Sequence, residues 1–598
     1  MKRSTVAPHL LSVFLLLPGC TSSNLPDIFP PPFTPQIAAP APSAALATIA
    51  EEVWKRTLEK DISLRIKFGL PIESLPEVTH DAAVKDAGFA ASILGRLRAI
   101  DPAPLNEEDR ITYGMLQWQS QLEVDGLPYF WHTFPVTPYA TPIRPANLAF
   151  ASFVFQSAGD TARYLRLIDA YPGFIDSIAG VIRGQAERGI RLPKDEIAIV
   201  TTMIGGYRRE ADASRFFVAG SRLAAIPEGD RAIFVASVRN GISSKINPAL
   251  GRLLDVFDGA YSAAAPSGVG LAQYPGGAEA YLFAIRANTT LSLSPAEIHR
   301  IGIEEVAVIN AEMQKVRDQL GFRGTKAEFT ATLRTDPRFF AKTPEDEGAR
   351  LTAYIRSIEP HITQFFARVP KAPYDVQRLD PHLEGSMTFG FYQPPTAIDP
   401  VGHYFYNGSK LSERNLLFAA GLMCHELIPG HHFQIARQEE NDSLPPFRRE
   451  AFQTAFVEGW GEYAANLGFE MGVYTNPYDH YGRLLMDSMI ASRLVVDTGM
   501  NALGWSRERA SQFLRENTIL SDAEIATETL RYAVDIPAQA LAYKIGSNQM
   551  LALRHRAKER LGPKFDIRQF HEWLIGSGSM PLGVLEQHID DEVRKALE

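Results

Sequence analysis

Three of the fourteen histidines in the chain fall within eight residues, in the run Cys424-His425-Glu426-Leu427-Ile428-Pro429-Gly430-His431-His432. Imidazoles gathered this closely point to a metal. Zinc hydrolases set two histidines four apart, so that both reach one ion from one helix face with a glutamate beside the attacking water. Here the fourth position is Pro429, which cannot ligate, lacks an N–H and clashes with the carbonyl of His425. The helix must therefore break or loop out at Pro429-Gly430, and a two-residue insertion puts His431 in the second ligand's place. On an unbroken helix His432 would sit about 10.5 Å from His425 along the axis, too far for bonds of about 2.0–2.1 Å to one ion. His425 and His431 are the preferred ligands and Glu426 the expected base. His432 is the alternative second ligand and otherwise a residue that supports the site or touches substrate.

A zinc site with an open position for water needs one more protein ligand. Phe456-Val457-Glu458-Gly459-Trp460-Gly461-Glu462-Tyr463 sets two carboxylates four apart in apolar company, hence on one helix face. Glu458 follows His431 by 27 residues, room for a turn and an antiparallel return. It is the expected third ligand, with Glu462 orienting a ligating histidine. Two imidazoles and a carboxylate suit Zn2+, and Mn, Co or Fe fit the same donors. His571-Glu572 has no partner at metal spacing, because position 575 is Ile.

The elements that must hold these side chains read as helices. Apolar residues recur at helical spacing from Ala44 to about Glu123 and from Asp160 to about Leu253, with breaks at Gly189 and Pro193. Residues 126–150 and 266–277 read as irregular. Ser294-Pro295-Ala296-Glu297 is a helix start with Ser as N-cap and Pro at the first position. Residues 370–408, rich in Tyr, Pro and Gly, suggest a short strand or two before helix resumes from Leu411. The expected fold is mainly α, two lobes around a deep cleft with a short strand segment near the active site.

The chain has 598 residues, of which 45% are hydrophobic, 22% charged and 10% aromatic. This is the usage of a large folded protein and excludes intrinsic disorder. Lys+Arg 60 against Asp+Glu 69 leaves a net charge of −9, which with no basic block argues against nucleic-acid binding. Beyond the first twenty residues no apolar run is long enough to cross a bilayer. Lys2 and Arg3 precede a short apolar stretch, Leu10 to Leu17, that reads as a processed signal. Leu17-Pro18-Gly19-Cys20 resembles the lipobox of bacterial lipoproteins, although Pro18 replaces the usual small residue. The expected organisation is a signal peptide at 1–19, a lipidated Cys20 with a Pro-rich tether at 20–43, and a helical domain at 44–598 with its metal-site part at about 380–598. Thr21, where an Asp would retain the protein at the inner membrane, implies a lipid anchor at the outer membrane facing the periplasm. Acylation of Cys20 would leave Cys424 without a disulfide partner.

The metal motif, together with Gln434, Trp460 and Tyr463, resembles the bacterial family named domain of unknown function 885, whose members are similar to helical gluzincin metallopeptidases. The resemblance also covers Tyr274-Pro-Gly-Gly277, Thr289-Thr290, Ser294 to Gly302, Val496 to Gly499, Gly504-Trp505, Arg531-Tyr532 and Pro537 to Gly546, or about 270–555 at motif level. It implies a zinc-dependent peptidase of the cell envelope with a peptide substrate. Tyr543 would then donate to the oxyanion, Tyr463 would stand near the site, Arg531 or Lys544 near the substrate, and Tyr404 to Asn407 would offer an extended edge. Two positions depart from the family pattern, Asn501 where His is common and Ala465 where an acid is common. The first encourages an alternative, a binding lipoprotein of the same fold with altered catalysis. A zinc hydrolase of a non-peptide amide or ester is the other. No Gly-x-Ser-x-Gly elbow supports a serine hydrolase.

Overall fold

The computed structural model describes residues 44–598 apart from 382–383, 385–389 and 397–398. The signal, Cys20 and the tether lie outside the described residues.

The fold is mainly helical, with one small sheet. The helices used below, in chain order, are α1 (Ala44–Lys60), α2 (Glu107–Gly126), α3 (Ala158–Glu187), α4 (Pro295–Gln319), α5 (Ala419–Glu426), α6 (His431–Glu439), α7 (Thr454–Leu467), α8 (Pro477–Ala502), α9 (Ala542–Leu561), α10 (Ile567–Ile575) and α11 (Leu582–Leu597). Their starts follow local chemistry. Asn106 Oδ1 accepts from Asp109 N at 2.9 Å to open α2, and Ser294 Oγ accepts from Glu297 N at 3.2 Å with Pro295 as first residue of α4. Asn476 caps α8 in the same way, again ahead of a proline. Within 126–150, expected to be irregular, Ile143–Ala151 forms a helix, because Ile143, Ala146, Ala149 and Phe150 turn one apolar stripe into the core.

Two large apolar cores take the place of the expected lobes. One gathers α3, its neighbouring helices, the second half of α8 and the segment 530–545. The other joins α1 and α2 to α5, α7, α9, α10 and α11. Helix α9 serves both, and the first half of α8 packs into a third, smaller core with α4. The strands β1 (Tyr374–Arg378), β2 (Gly390–Gln393) and β3 (Gly402–Tyr406) form a sheet of order β1-β3-β2, with β1 parallel and β2 antiparallel to β3. The edge expected at Tyr404 to Asn407 is therefore misplaced. Tyr404 pairs with Val376 on one side and Tyr392 on the other, so β3 is central and, among the described residues, β2 is the strand with an unpaired side next to the histidines. Cys424 is buried and free.

Candidate metal centre

Helix α5 ends at Glu426, and α6 begins at His431. The break expected at Pro429-Gly430 is a four-residue reversal, Leu427 to Gly430, containing a cis Ile428–Pro429 bond. A Cβ on Gly430 would stand 1.8 Å from the carbonyl oxygen of His425, so no other residue fits this reversal. The Trp460 indole N–H donates to Pro429 O and Gly430 O, at 2.9 and 3.1 Å, and fastens the reversal to α7.

This turn brings the last helical histidine of α5 and the first residue of α6 together. Their rings are 4.6 Å apart and nearly perpendicular. Glu458 Oε2 on α7 lies 3.6 Å from His425 Nε2 and 3.5 Å from His431 Nε2. All three ligating atoms fall within 4.8 Å of one another. Donors at about 2.0–2.1 Å from a tetrahedral zinc sit roughly 3.3–3.4 Å apart, so the set needs only a slight contraction to hold one ion.

The surrounding charges favour a cation here. Burial works against a charged His425, but Glu458 and Glu462 outweigh it and hold the imidazole up, to about 10. Burial likewise opposes charge on Glu458, yet His425 and His431 keep its carboxyl well below the usual range. Glu462 is held down at about 2 against burial, by Arg483 first and then His425. A site that draws a proton onto an imidazole so strongly is one where a divalent ion can take the proton's place.

Glu462 Oε1 lies 3.0 Å from His425 Nδ1 and Glu462 Oε2 accepts from Arg483 Nη2 at 3.1 Å. The carboxylate thus stands beside Nδ1 and leaves His425 Nε2 to face Glu458. Gly461 makes room for the ring, since a Cβ there would stand 2.7 Å from His425 Cε1. Glu426, beside the two histidines, has its carboxyl raised by burial first, with Glu458 adding and His431 and His425 opposing, and it accepts the backbone N–H of Tyr392 from β2. The Tyr543 ring stacks over His425 at 6.3 Å with a 15° tilt. Tyr543 is placed by the turn before α9. There Ala538 takes a left-handed φ of 67° and donates its N–H to both oxygens of buried Asp497, at 3.2 and 3.1 Å.

Several expected neighbours of the site do other work. His432 is fully buried, its Nε2 donating to Ala372 O at 3.1 Å and its Nδ1 accepting from Tyr392 at 3.0 Å. It ties the sheet to α6 and has no free nitrogen for an ion or substrate. Tyr463 points away, because it stands one position beyond the Glu458–Glu462 face, and its hydroxyl donates to His571 Nε2 at 2.8 Å. Lys544 pairs with Asp487 at 2.9 Å and Glu305 at 3.3 Å, which leaves it behind the site. Arg531 stays close to Tyr543 and donates to Gln539 Oε1 at 2.9 Å. Asn501 is no substrate contact: its amide donates to Asp497 and to Tyr532 O and accepts from Leu271 N, all fully buried. Ala465 is buried on α7, and its carbonyl accepts from Tyr474.

Arg483, Asp487, Arg493 and Asp497 were missed from sequence. They share a signal with Asn501: i, i+4 steps within α8, a polar stripe on a helix whose other faces are also buried.

No curated protein matches the chain. A structure from Colwellia psychrerythraea, provisionally described as a lipoprotein, superimposes with a TM-score of 0.85 at 22% identity, covering 92% of this chain and 99% of its own. A second from Shewanella oneidensis, provisionally described as a lipoprotein of unknown function, gives 0.68 at 18%, covering 91% and 98%. Both share the fold. A structure described in the same provisional way as an oligoendopeptidase F, from Bacillus anthracis, aligns at 10% identity over 88% and 97%, with a TM-score of 0.24 that carries no argument. The family model for bacterial proteins of unknown function, domain of unknown function 885, matches residues 64–589, nearly the whole described chain, and to that family the chain belongs.

Proposed function

We propose that the protein is a metal-dependent hydrolase of the cell envelope that cleaves peptide bonds. The observation that carries this reading is the convergence of His425, His431 and Glu458 on one point, with the raised carboxyl of Glu426 beside it and the Tyr543 phenol across from His425. A divalent ion bound there, zinc by the donor set, supplies Lewis acidity and lowers the pKa of a bound water. The chain's own residues supply the rest. Glu426 accepts the proton of the attacking water, and its raised carboxyl then passes that proton to the leaving amine. Tyr543 donates to the oxygen on which negative charge grows. The open side of β2, which already meets Glu426 through Tyr392 N–H, suits an extended peptide backbone; this favours a peptide over an ester or small amide.

Placement at the membrane belongs to the same proposal. No described helix is long and apolar enough to cross a bilayer, and two structures of the same fold are provisionally described as lipoproteins. An anchor at Cys20 with a tether to residue 43, at the outer membrane facing the periplasm, fits both. The buried role of Asn501 removes the reason for reading the protein as a binding lipoprotein with altered catalysis.

Metal analysis beside digestion of a peptide pool tests the reading. His425→Ala, His431→Ala and Glu458→Ala are each expected to lose the ion, and Glu426→Gln to keep it while turnover vanishes. A metal-loaded wild type that cleaves no peptide overturns the peptidase assignment, and retention of metal by His431→Ala overturns the ligand set.

A further inference from the structure

Next to Tyr543 lies a pair of arginines that donate to one and the same carboxylate. Arg493 Nη2 donates to Glu528 Oε2 at 3.2 Å and Arg531 Nη1 to Glu528 Oε1 at 3.3 Å. The two guanidiniums therefore share one carboxylate. Their other partners are neutral, Tyr532 Oη at 2.8 Å from Arg493 Nε and Gln539 Oε1 at 2.9 Å from Arg531 Nη2. Arg531 Nε is buried with no hydrogen-bond partner. The further acids are Glu458 and Glu462 near Arg493, the first a proposed metal ligand and the second already paired with Arg483, and Asp497 and Asp535 near Arg531. The oxygens of Asp497 are engaged by Tyr281, Ala538 and Asn501. Asp535 is pushed up to about 8 by burial and then by Glu196, so it brings little charge at neutral pH.

Two cations held away from water around one anion are costly, and an arriving anion relieves the cost. Side-chain exposures of 8% for Arg493 and 12% for Arg531 mean that neither side chain is wholly sealed off. The planar fork of arginine matches a carboxylate with two parallel hydrogen bonds. Position then selects the carboxylate. Arg493 Cζ stands 4.9 Å over the Tyr543 ring, and that ring 6.3 Å from the His425 ring. Together these steps reach at most about three residues of extended peptide at about 3.3–3.6 Å each.

We propose that Arg493 and Arg531 bind the free C-terminal carboxylate of a peptide, so that the enzyme removes a fragment of one to about three residues from that end. This rests on the peptidase reading above. In the reaction the scissile C–N bond breaks, water gives its hydroxyl to the acyl carbon, and its proton leaves with the amine of the short fragment.

Matched peptides with a free C-terminal acid or an amide test it on the metal-loaded full chain. The amide is expected to show a KM about 10–100-fold higher with little change in kcat, and mass spectrometry of the acid digest to show release of one to three residues. Calorimetry on Glu426→Gln should show the same preference in binding without turnover. Glu528→Gln frees both guanidiniums and should lower KM for the acid relative to the amide, an effect that a merely structural pair would not produce. Arg493→Gln and Arg531→Gln should narrow the gap between acid and amide. Equal binding and cleavage of acid and amide, with peptidase activity intact, overturns this inference alone. Failure to bind or cleave either peptide overturns the peptidase reading and this inference with it.

Discussion

Burial and the nearby Glu458 carboxylate push the Tyr543 hydroxyl up to about 12, against the pull of Arg531 and Arg493. At neutral pH the phenol therefore keeps its proton and is able to donate it in a hydrogen bond. Its proposed partner is an oxygen that gains charge during reaction, and removing one such donor typically costs about 10²–10³ in kcat. Tyr543→Phe keeps the ring over His425 and beneath Arg493, so metal content and melting temperature are expected to stay near wild type while kcat falls by that factor and KM moves little. Steady-state kinetics beside a thermal melt checks this, and full kcat in the Phe variant removes the residue from the mechanism. At this scale the sequence was readable wherever the chemistry is local. His425, Glu426 and His431 span seven residues, and Pro429 announced its own break. Tyr543 came only from family resemblance, since no spacing rule links a tyrosine 85 residues beyond the last ligand, Glu458, to a metal. Arg493 was hidden because its partner, Glu528, comes from another helix.

At the scale of elements, the site depends on what holds α5, α6 and α7 in register. Behind Trp460 and Tyr463, His571 on α10 donates from Nδ1 to Phe365 O at 2.8 Å and accepts from the Tyr463 hydroxyl, also at 2.8 Å. Both nitrogens are engaged only while the ring is neutral, and burial lowers its pKa to about 3. An unfolded histidine titrates near 6.5. As pH falls from about 6.5 toward 3, the unfolded chain takes up a proton that the folded chain refuses, so stability is present above this window and lost within it. His571→Phe is expected to melt lower at pH 7, because Tyr463 and Phe365 lose their partner, yet to lose less stability between pH 6.5 and 4 than wild type does. Melts across that range decide the matter, and parallel acid limbs in the two proteins defeat the idea. Helical periodicity disclosed most of these elements, as in α3, and a capping signature disclosed the start of α4. It failed for the sheet, where short paired strands leave no long pattern, and so the free edge was assigned to β3 and not to β2. It also gave no view of the stripe on α8, which can be read as functional only once the helix is known to be buried on every side.

At the scale of the molecule, the second core is closed by the two ends of the folded chain. Leu582, Leu585, Ile589 and Val593 of α11 are all buried to within 1% exposure, in the core that also holds Leu46, Ile49 and Leu116. Glu107 at the start of α2 pairs with both His588 and Lys595. Burying each large aliphatic side chain is worth about 1.5–3 kcal/mol, so four together rival a whole folding margin of about 5–15 kcal/mol. Deletion of α11 is expected to abolish the cooperative melt and with it metal binding, although the nearest ligand, Glu458, is more than a hundred residues away in sequence. A cooperative transition within a few degrees of wild type in the truncated chain would refute this. The same closure means that residues 380–598, which carry every proposed ligand, form no separate folding unit, since their core is completed by α1 and α2. Time enters here. A ribosome makes the first half of this core hundreds of residues before the last helix that seals it, so the apolar faces of α1 and α2 must wait, shielded by something other than their final partners. A chain stopped short within its final helix is then raw material for proteases and never a partly working protein.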